Sequence, residues 1–258
     1  MQGIVKLNII QFSLVYLLLL VVLAIMKKSK INETALLINA SIRMTVQLIL
    51  AGLILTYIFE NPHPAFVILY IVAMIAFSIK RVLSKAKDIN KNFKIAVSLS
   101  LAFSGVTILG YFVYVVVGES VFNPQYTIPI AGMIIGNSMT GVSLALKNFT
   151  ENIKSQRFKI DALLNLGATP RKILLPYVNN AIETALLPTL NSMLGMGVVS
   201  LPGMMTGQIL SGTLPTTAIM YQIAIMIAIC TSVCLTVFCS LNFGYKTLYN
   251  KRNQITID

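Results

Sequence analysis

Hydrophobic positions in this chain fall in long unbroken runs. They show neither the three-four spacing of a surface helix nor the alternation of a strand. Seven runs cover approximately residues 8–26, 36–59, 64–79, 94–117, 124–146, 178–211 and 216–242. A helix crosses a bilayer with about 20 apolar residues, and a helix apolar on every side belongs in lipid or in a core. The pattern predicts an all-α polytopic membrane protein of about seven transmembrane helices, forming one transmembrane domain over residues 1–258. The third run is short at its apolar centre, which suits a tilted or thinned placement. The sixth is too long for one crossing and contains Pro188, Gly195, Gly197, Pro202 and Gly203, so a break is expected inside it.

The polar stretches between the runs differ in sign. Those after runs one, three, five and seven read KKSK, KRVLSKAKDINKNFK, KNFTENIKSQRFK and KTLYNKR. The opposite connections read ENPHP, GESVFNPQ and SGTLPT, with two acids and no base. Of 20 Lys and Arg residues, only Lys6 falls on the second side. Basic loops stay in the cytoplasm, so the expected arrangement is a multi-pass protein of the cell (inner or plasma) membrane, with the N-terminus outside and the C-terminus cytoplasmic.

Composition agrees. The chain is 56% hydrophobic and 11% charged, with a mean hydropathy of +0.81, too little charge to cover a soluble domain of this size. A net charge of +12 would suit a nucleic-acid partner, but its confinement to one side of a bilayer argues for the membrane and against nucleic acid. The first run is too long for the apolar region of a cleavable signal, and no small-residue cleavage site follows it.

Candidate chemistry is sparse. There is no GxxxxGK[ST] loop, HExxH, paired CxxC or GxSxG elbow, so no catalytic residue and no cofactor bound by this chain are expected, and the chain does not read as an enzyme. Energy for uphill transport would have to come from an ion gradient or another polypeptide. Cys230, Cys234 and Cys239 lie in the last run and read as small apolar fillers. His63 stands without a sequence partner in an outer turn. Arg43 with Gln47, and Glu183, lie near cytoplasmic ends, where charge can reach water.

Two runs are richer. The fifth opens NPQYTIPIAGMIIGNSMTGVSLAL and the sixth contains NSMLGMGVVSLPGMMTGQILSG, mixing Pro, Gly, Asn and Met among aliphatic residues. Gly132, Gly136 and Ser143 allow close helix approach, and Pro129 and Pro202 both fall toward the outer half. Irregular backbone at membrane depth is tolerated where it is buried in protein or lines a wet cavity. Gly132, Asn137, Met139, Glu183, Asn191, Met196, Ser200, Pro202 and Met204 are therefore candidates to line or shape a path. The alternative is a packing or dimer seam. Met133, Met139, Met193, Met196, Met204 and Met205 cluster in the same segments. Their thioethers suit soft metals such as Cu(I) or simply fill gaps. A hard ion such as Fe3+ would want carboxylates, which are scarce here.

The cytoplasmic segment 147–177 has its own punctuation. Gly167 can close a helix in a left-handed cap, Thr169 can cap the next, and Pro170 suits that helix's first position. Phe149, Ile153, Ile160, Leu163 and Leu164 fall near helical spacing, with Lys154, Arg157 and Lys159 between them. The fifth run is thus expected to continue into the cytosol as an amphipathic helix, turn at GATP and return. Its apolar face requires the membrane surface, another part of this chain or a second protein.

The stretch DALLNLG resembles the EAAxxxG motif of ABC-transporter permeases, with Asp161, Ala162 and Leu163 in the first three places and Gly167 in the last; Ile173, Leu175 and Pro176 supply the later IxLP element. Asp replaces Glu, and the gap from Gly to IxLP is shorter. Over nearly the whole chain, IPIAGMIIGNSMTG, LNLGATPRKIL, ALLPTLNSMLGMGVVSLPGMMTGQILSG and AIMYQI resemble the FetB-type family of bacterial iron-export ABC permeases, to which plant aluminium-tolerance membrane proteins are related. The resemblance implies a permease dimer working with a separate ABC ATPase subunit, which would hold ATP and Mg. It also implies iron export. The coupling element would be Asp161, Ala162, Leu163, Gly167, Ala168, Thr169, Pro170 and Arg171. The rival readings are an ABC permease for another metal or small solute, an energy-independent carrier or channel, and an assembly partner with no conduit.

Overall fold

The computed structural model describes residues 8–86 and 89–250. Lys6, Lys87, Lys251 and Arg252, which contribute to the charge asymmetry, lie outside the described residues. The helices in chain order are α1 (Ile9–Lys28), α2 (Thr34–Glu60), α3 (Pro64–Lys85), α4 (Lys91–Tyr111), α5 (Pro124–Ser155), α6 (Arg157–Asn165), α7 (Pro170–Gly195), α8 (Gly203–Leu210) and α9 (Pro215–Gly244). A π-helical turn, Phe112–Val117, extends α4 and closes on Gly118 at φ 76°. A 3-10 turn, Tyr245–Thr247, extends α9.

Local chemistry sets several of these boundaries. Pro64 and Pro124 each open a helix where a missing N–H costs nothing, and the side chains of His63 and Asn123 accept the backbone N–H of Ala65 and Gln125, both at 3.2 Å. His63 is thus accounted for as a cap. Asn90 accepts the Phe93 N–H at 2.8 Å, its Nδ2 donates to the Thr247 carbonyl at 2.6 Å, and the Thr247 hydroxyl donates back to Oδ1 at 3.1 Å. One side chain so caps α4 and ties it to the end of α9.

Among the described residues, six helices are long and apolar enough to cross a membrane: α1, α2, α3, α4 with its π turn, α5, and α9 with its 3-10 turn. The expected sixth run is different. Its helix α7 begins at Pro170 and is long enough, but Asn179, Asn180, Glu183 and Asn191 dilute its hydrophobicity. Pro176 and Pro188 both lie inside α7, so the expected interruption at Pro188 does not occur. A proline removes one backbone hydrogen bond, here the one that the Thr184 carbonyl would accept, and a membrane helix tolerates that loss without breaking. The break comes at 196–202 instead. Gly197 turns at φ 84°, its N–H bonds the Ser200 carbonyl at 2.9 Å, and α8 starts after Pro202.

The core lies among α4, α5, α7 and α9, with α3 laid on α5. Phe93, Phe112, Ile134, Phe149, Leu174 and Leu241 are fully buried there. Small residues let α5 and α9 cross closely. The Ser138 and Ser232 hydroxyls bond at 2.9 Å, and a β-carbon on Gly141 would lie 2.7 Å from Val233 Cγ1. By contrast α1 has no buried residue among those described, and in α2 only Ile58 is buried. Most of their Leu, Ile and Val side chains are exposed, as on lipid-bathed helices, while Leu19, Leu23, Leu37 and Leu55 are half-buried.

Candidate functional site

A cavity of about 370 Å³ lies between α5, α7, the 196–202 break, the start of α8 and α9. Five sequence candidates line it: Asn137 from α5, Met196, Ser200 and Pro202 from the break, and Met204 from α8. The break brings these together. Its turn at Gly197 and the Met196–Ser200 bridge fold distant positions against the face of α5. Among the described residues, the other four candidates sit off this lining. Gly132 packs toward α3, where a β-carbon would lie 3.3 Å from Met74 Cε. Met139 joins the hydrophobic core, and Glu183 and Asn191 are exposed on α7.

The cavity also draws in residues that sequence reasoning did not single out, chiefly Thr189 and Ser192 from α7 and Gln222 and Met226 from α9. Gln222 is 6% exposed. Its Nε2 donates weakly to Met196 Sδ at 3.7 Å, and its Oε1 is buried without a hydrogen-bond partner. A signal did exist, since a lone amide amid the aliphatic stretch of α9 is costly in a membrane and marks a functional candidate. Met133 and Met226 bring the thioethers on the lining to four. No carboxylate, imidazole, thiol or ammonium lines the cavity. Among the described residues, no cluster of three or more His, Cys, Asp or Glu could hold a metal.

At the other end of α5 and α7 is the segment 147–177. Helix α5 runs on to Ser155 and α6 follows almost at once. Gly167, at φ 84°, closes α6: its N–H bonds the Leu164 carbonyl at 2.9 Å, and the Ala168 N–H bonds the Leu163 carbonyl at 3.0 Å. This is the Schellman arrangement that positive φ permits. Thr169 takes the cap position of α7 in extended backbone, but its side chain makes no capping bond, contrary to expectation. Pro170 is the first helical residue and is buried. Asp161 pairs with Arg157 at 3.3 Å, one turn back.

Of the three possible partners for the apolar face, the molecule uses its own helices. Phe149, Ile153 and Ile160 are fully buried, and Leu163 and Leu164 pack on the same core. What remains outside is a second, smaller apolar pair: Phe158 is 93% exposed and Leu166 82% exposed. Ala162, Gly167, Thr169 and Arg171 are exposed beside them.

Lipid-length apolar helices enclosing a lined cavity define a polytopic, all-α membrane protein. The chain belongs to the uncharacterised protein family UPF0014, whose model matches residues 9–249. It is 32% identical over 252 residues to the probable iron export permease protein FetB of Escherichia coli K12, covering 97% of this chain and 96% of that one. It is 31% identical over 247 residues to the UPF0014 membrane protein YjkA of Bacillus subtilis, covering 95% and 97%. The Arabidopsis thaliana protein ALUMINUM SENSITIVE 3 is 35% identical over 184 residues, 71% of this chain and 66% of that one. The resemblance to FetB-type permeases and their plant relatives therefore stands. No solved structure matches the chain.

Proposed function

We propose that this protein is the membrane subunit of an ABC transporter, moving iron or another small solute out of the cytoplasm with ATP hydrolysed on a separate chain. The observation that carries the reading is the pair Phe158 and Leu166. The α6–α7 crook spends its inner apolar face on its own core, yet it still presents two large, almost fully exposed apolar side chains on an otherwise basic side. An aromatic and a leucine held on a short rigid helix form an anchor for a groove on a partner protein. The name of the Escherichia coli relative supports the solute and the direction.

The partner supplies what this sequence lacks, a phosphate-binding loop with ATP and Mg. The cavity on α5, α7 and α9 serves as the solute path, and the crook reports the nucleotide state to those same helices. A second copy of the chain fits beside the 196–202 break. Gln222, which touches Met196, lies seven residues inside α9, about 10 Å from its end. Exposed irregular backbone at that depth requires protein cover rather than lipid.

The test is co-expression with an ABC ATPase encoded beside it, followed by purification of the pair. Phe158→Ala with Leu166→Ala is expected to leave insertion and yield unchanged while abolishing co-purification and solute-stimulated ATP hydrolysis. Wild-type stimulation in that double variant would overturn the reading.

A further inference from the structure

The cavity combines two features that point to one class of ligand. First, its soft donors are the thioethers of Met133, Met196, Met204 and Met226, set among the neutral oxygens of Asn137, Thr189, Ser192 and Ser200 and the side chain of Gln222, whose Oε1 is buried and has no protein partner. A buried carbonyl oxygen without a donor is costly, and a bound cation would remove that cost. Second, the lining carries no formal charge. The penalty for bringing an ion out of water grows with the square of its charge, and neutral dipoles offset only a small part of it for a divalent or trivalent ion. A neutral donor set therefore favours charge one. Thioether sulfur selects soft d10 ions over hard ones, which prefer oxygen anions. Methionine's three rotatable bonds let sulfurs from α5, the break, α8 and α9 converge on one ion inside a cavity of this size.

We propose that this cavity binds a soft monovalent cation, Cu(I) or Ag(I), through Met133, Met196, Met204, Met226 and the Gln222 carbonyl. The proposal rests on the reading of the cavity as the solute path and takes that reading's alternative to iron, because the ions of iron are neither soft nor monovalent. Met196 and Met204 are held by the break and by α8, while Met133 and Met226 stand on the continuous helices α5 and α9. Movement of the break relative to α9 would separate the sulfurs and release the ion without any change of protonation.

The test uses the purified full chain without any ATPase, with Cys230, Cys234 and Cys239 changed to Ala so that thiols do not compete for silver. Titration with silver nitrate, followed calorimetrically, is expected to show one saturable site per chain. Met196→Leu with Met204→Leu, near in volume to the originals, is expected to weaken binding about tenfold or more. Met226→Leu or Gln222→Leu alone is expected to weaken it less. Met26→Leu with Met44→Leu, on the outer helices, is expected to have no effect. No saturable binding, equal binding in all variants, or displacement of silver by an equal concentration of Fe(II) would each overturn the proposal. Because no ATPase is present, a failed partnership leaves this result untouched. Loss of silver binding likewise leaves ATPase docking at Phe158 and Leu166 to stand or fall on its own test.

Discussion

The ring of Phe93, at the start of α4, fills the space that a β-carbon on Gly244, at the end of α9, would need. Phe93 is fully buried and stacks at a tilt on Phe149 of α5, with ring centroids 6.0 Å apart, so it has no room to retreat. One glycine thereby lets three helices meet at the end of the bundle where α4 starts and α9 stops. Gly244→Ala is expected to destabilise the protein by about 1–3 kcal/mol through overpacking, seen as a lower melting temperature in detergent. Phe93→Leu in the same chain should restore part of the loss, and no restoration would place the strain elsewhere.

The Ser138–Ser232 hydroxyl pair is buried between α5 and α9. Removing one partner leaves the other hydroxyl unsatisfied, whereas removing both leaves small apolar surfaces in contact. Ser232→Ala is expected to cost about 1 kcal/mol, and the double Ala variant less than the sum of the singles. Additive single-variant effects on melting temperature would mean that the pair is not coupled.

Gly167 meets nothing within 4 Å of a built β-carbon, so its substitution cost is backbone strain alone. Asparagine tolerates the left-handed region and β-branched residues do not. The expected order of melting temperatures is Gly167, then Gly167→Asn, then Gly167→Val, with the last lower by the equivalent of about 1–2 kcal/mol. Equal values for Asn and Val would show that the cap is not held at positive φ in the membrane.

Charge predicts the topology. In a chain whose three cysteines are changed to Ala, single cysteines at Glu60 or Ser120 should react with an impermeant maleimide in intact cells, and one at Lys154 should not. Labelling at Lys154 before lysis would invert the arrangement.

The same chemistry tests whether the cavity is wet. Asn137 lines it from α5 and Ser200 from the break, and both are exposed. A cysteine at either position is expected to react with a small charged thiol reagent, and its modification to stop transport. Unreactive cysteines at both positions would identify the space as a dry packing gap.

Long apolar runs made most of the helices legible, because α1 and α2 are apolar and exposed over most of their surface and no other pattern survives there. Helix ends were less so. Runs five and three stop at 146 and 79, but α5 continues to Ser155 and α3 to Lys85, since backbone hydrogen bonding does not end where side chains turn polar. Pro188 looked like a break because a proline's missing donor is visible in sequence, while the run of α7 past it to Gly195 is a structural fact. The cavity was half legible. Asn137, Met196, Ser200, Pro202 and Met204 interrupt aliphatic stretches and so announce themselves. Gln222 reaches the same space only through the way α9 is rotated against α5 and α7, and that rotation is set by Gly141, Ser138 and Ser232 acting across the chain.

Were α5 to turn as a stiff rod about its close crossing with α9, the geometry would make it a lever. From Gly141 the helix runs 14 residues to Ser155, about 21 Å, toward the crook, and eight residues to Met133, about 12 Å, along the cavity wall. A sideways push at the Ser155 end would then become a smaller, opposite swing at the far end, in a ratio of about 12 to 21. A partner seated on Phe158 and Leu166, as proposed, would work the longer arm, trading distance for force at the methionine wall.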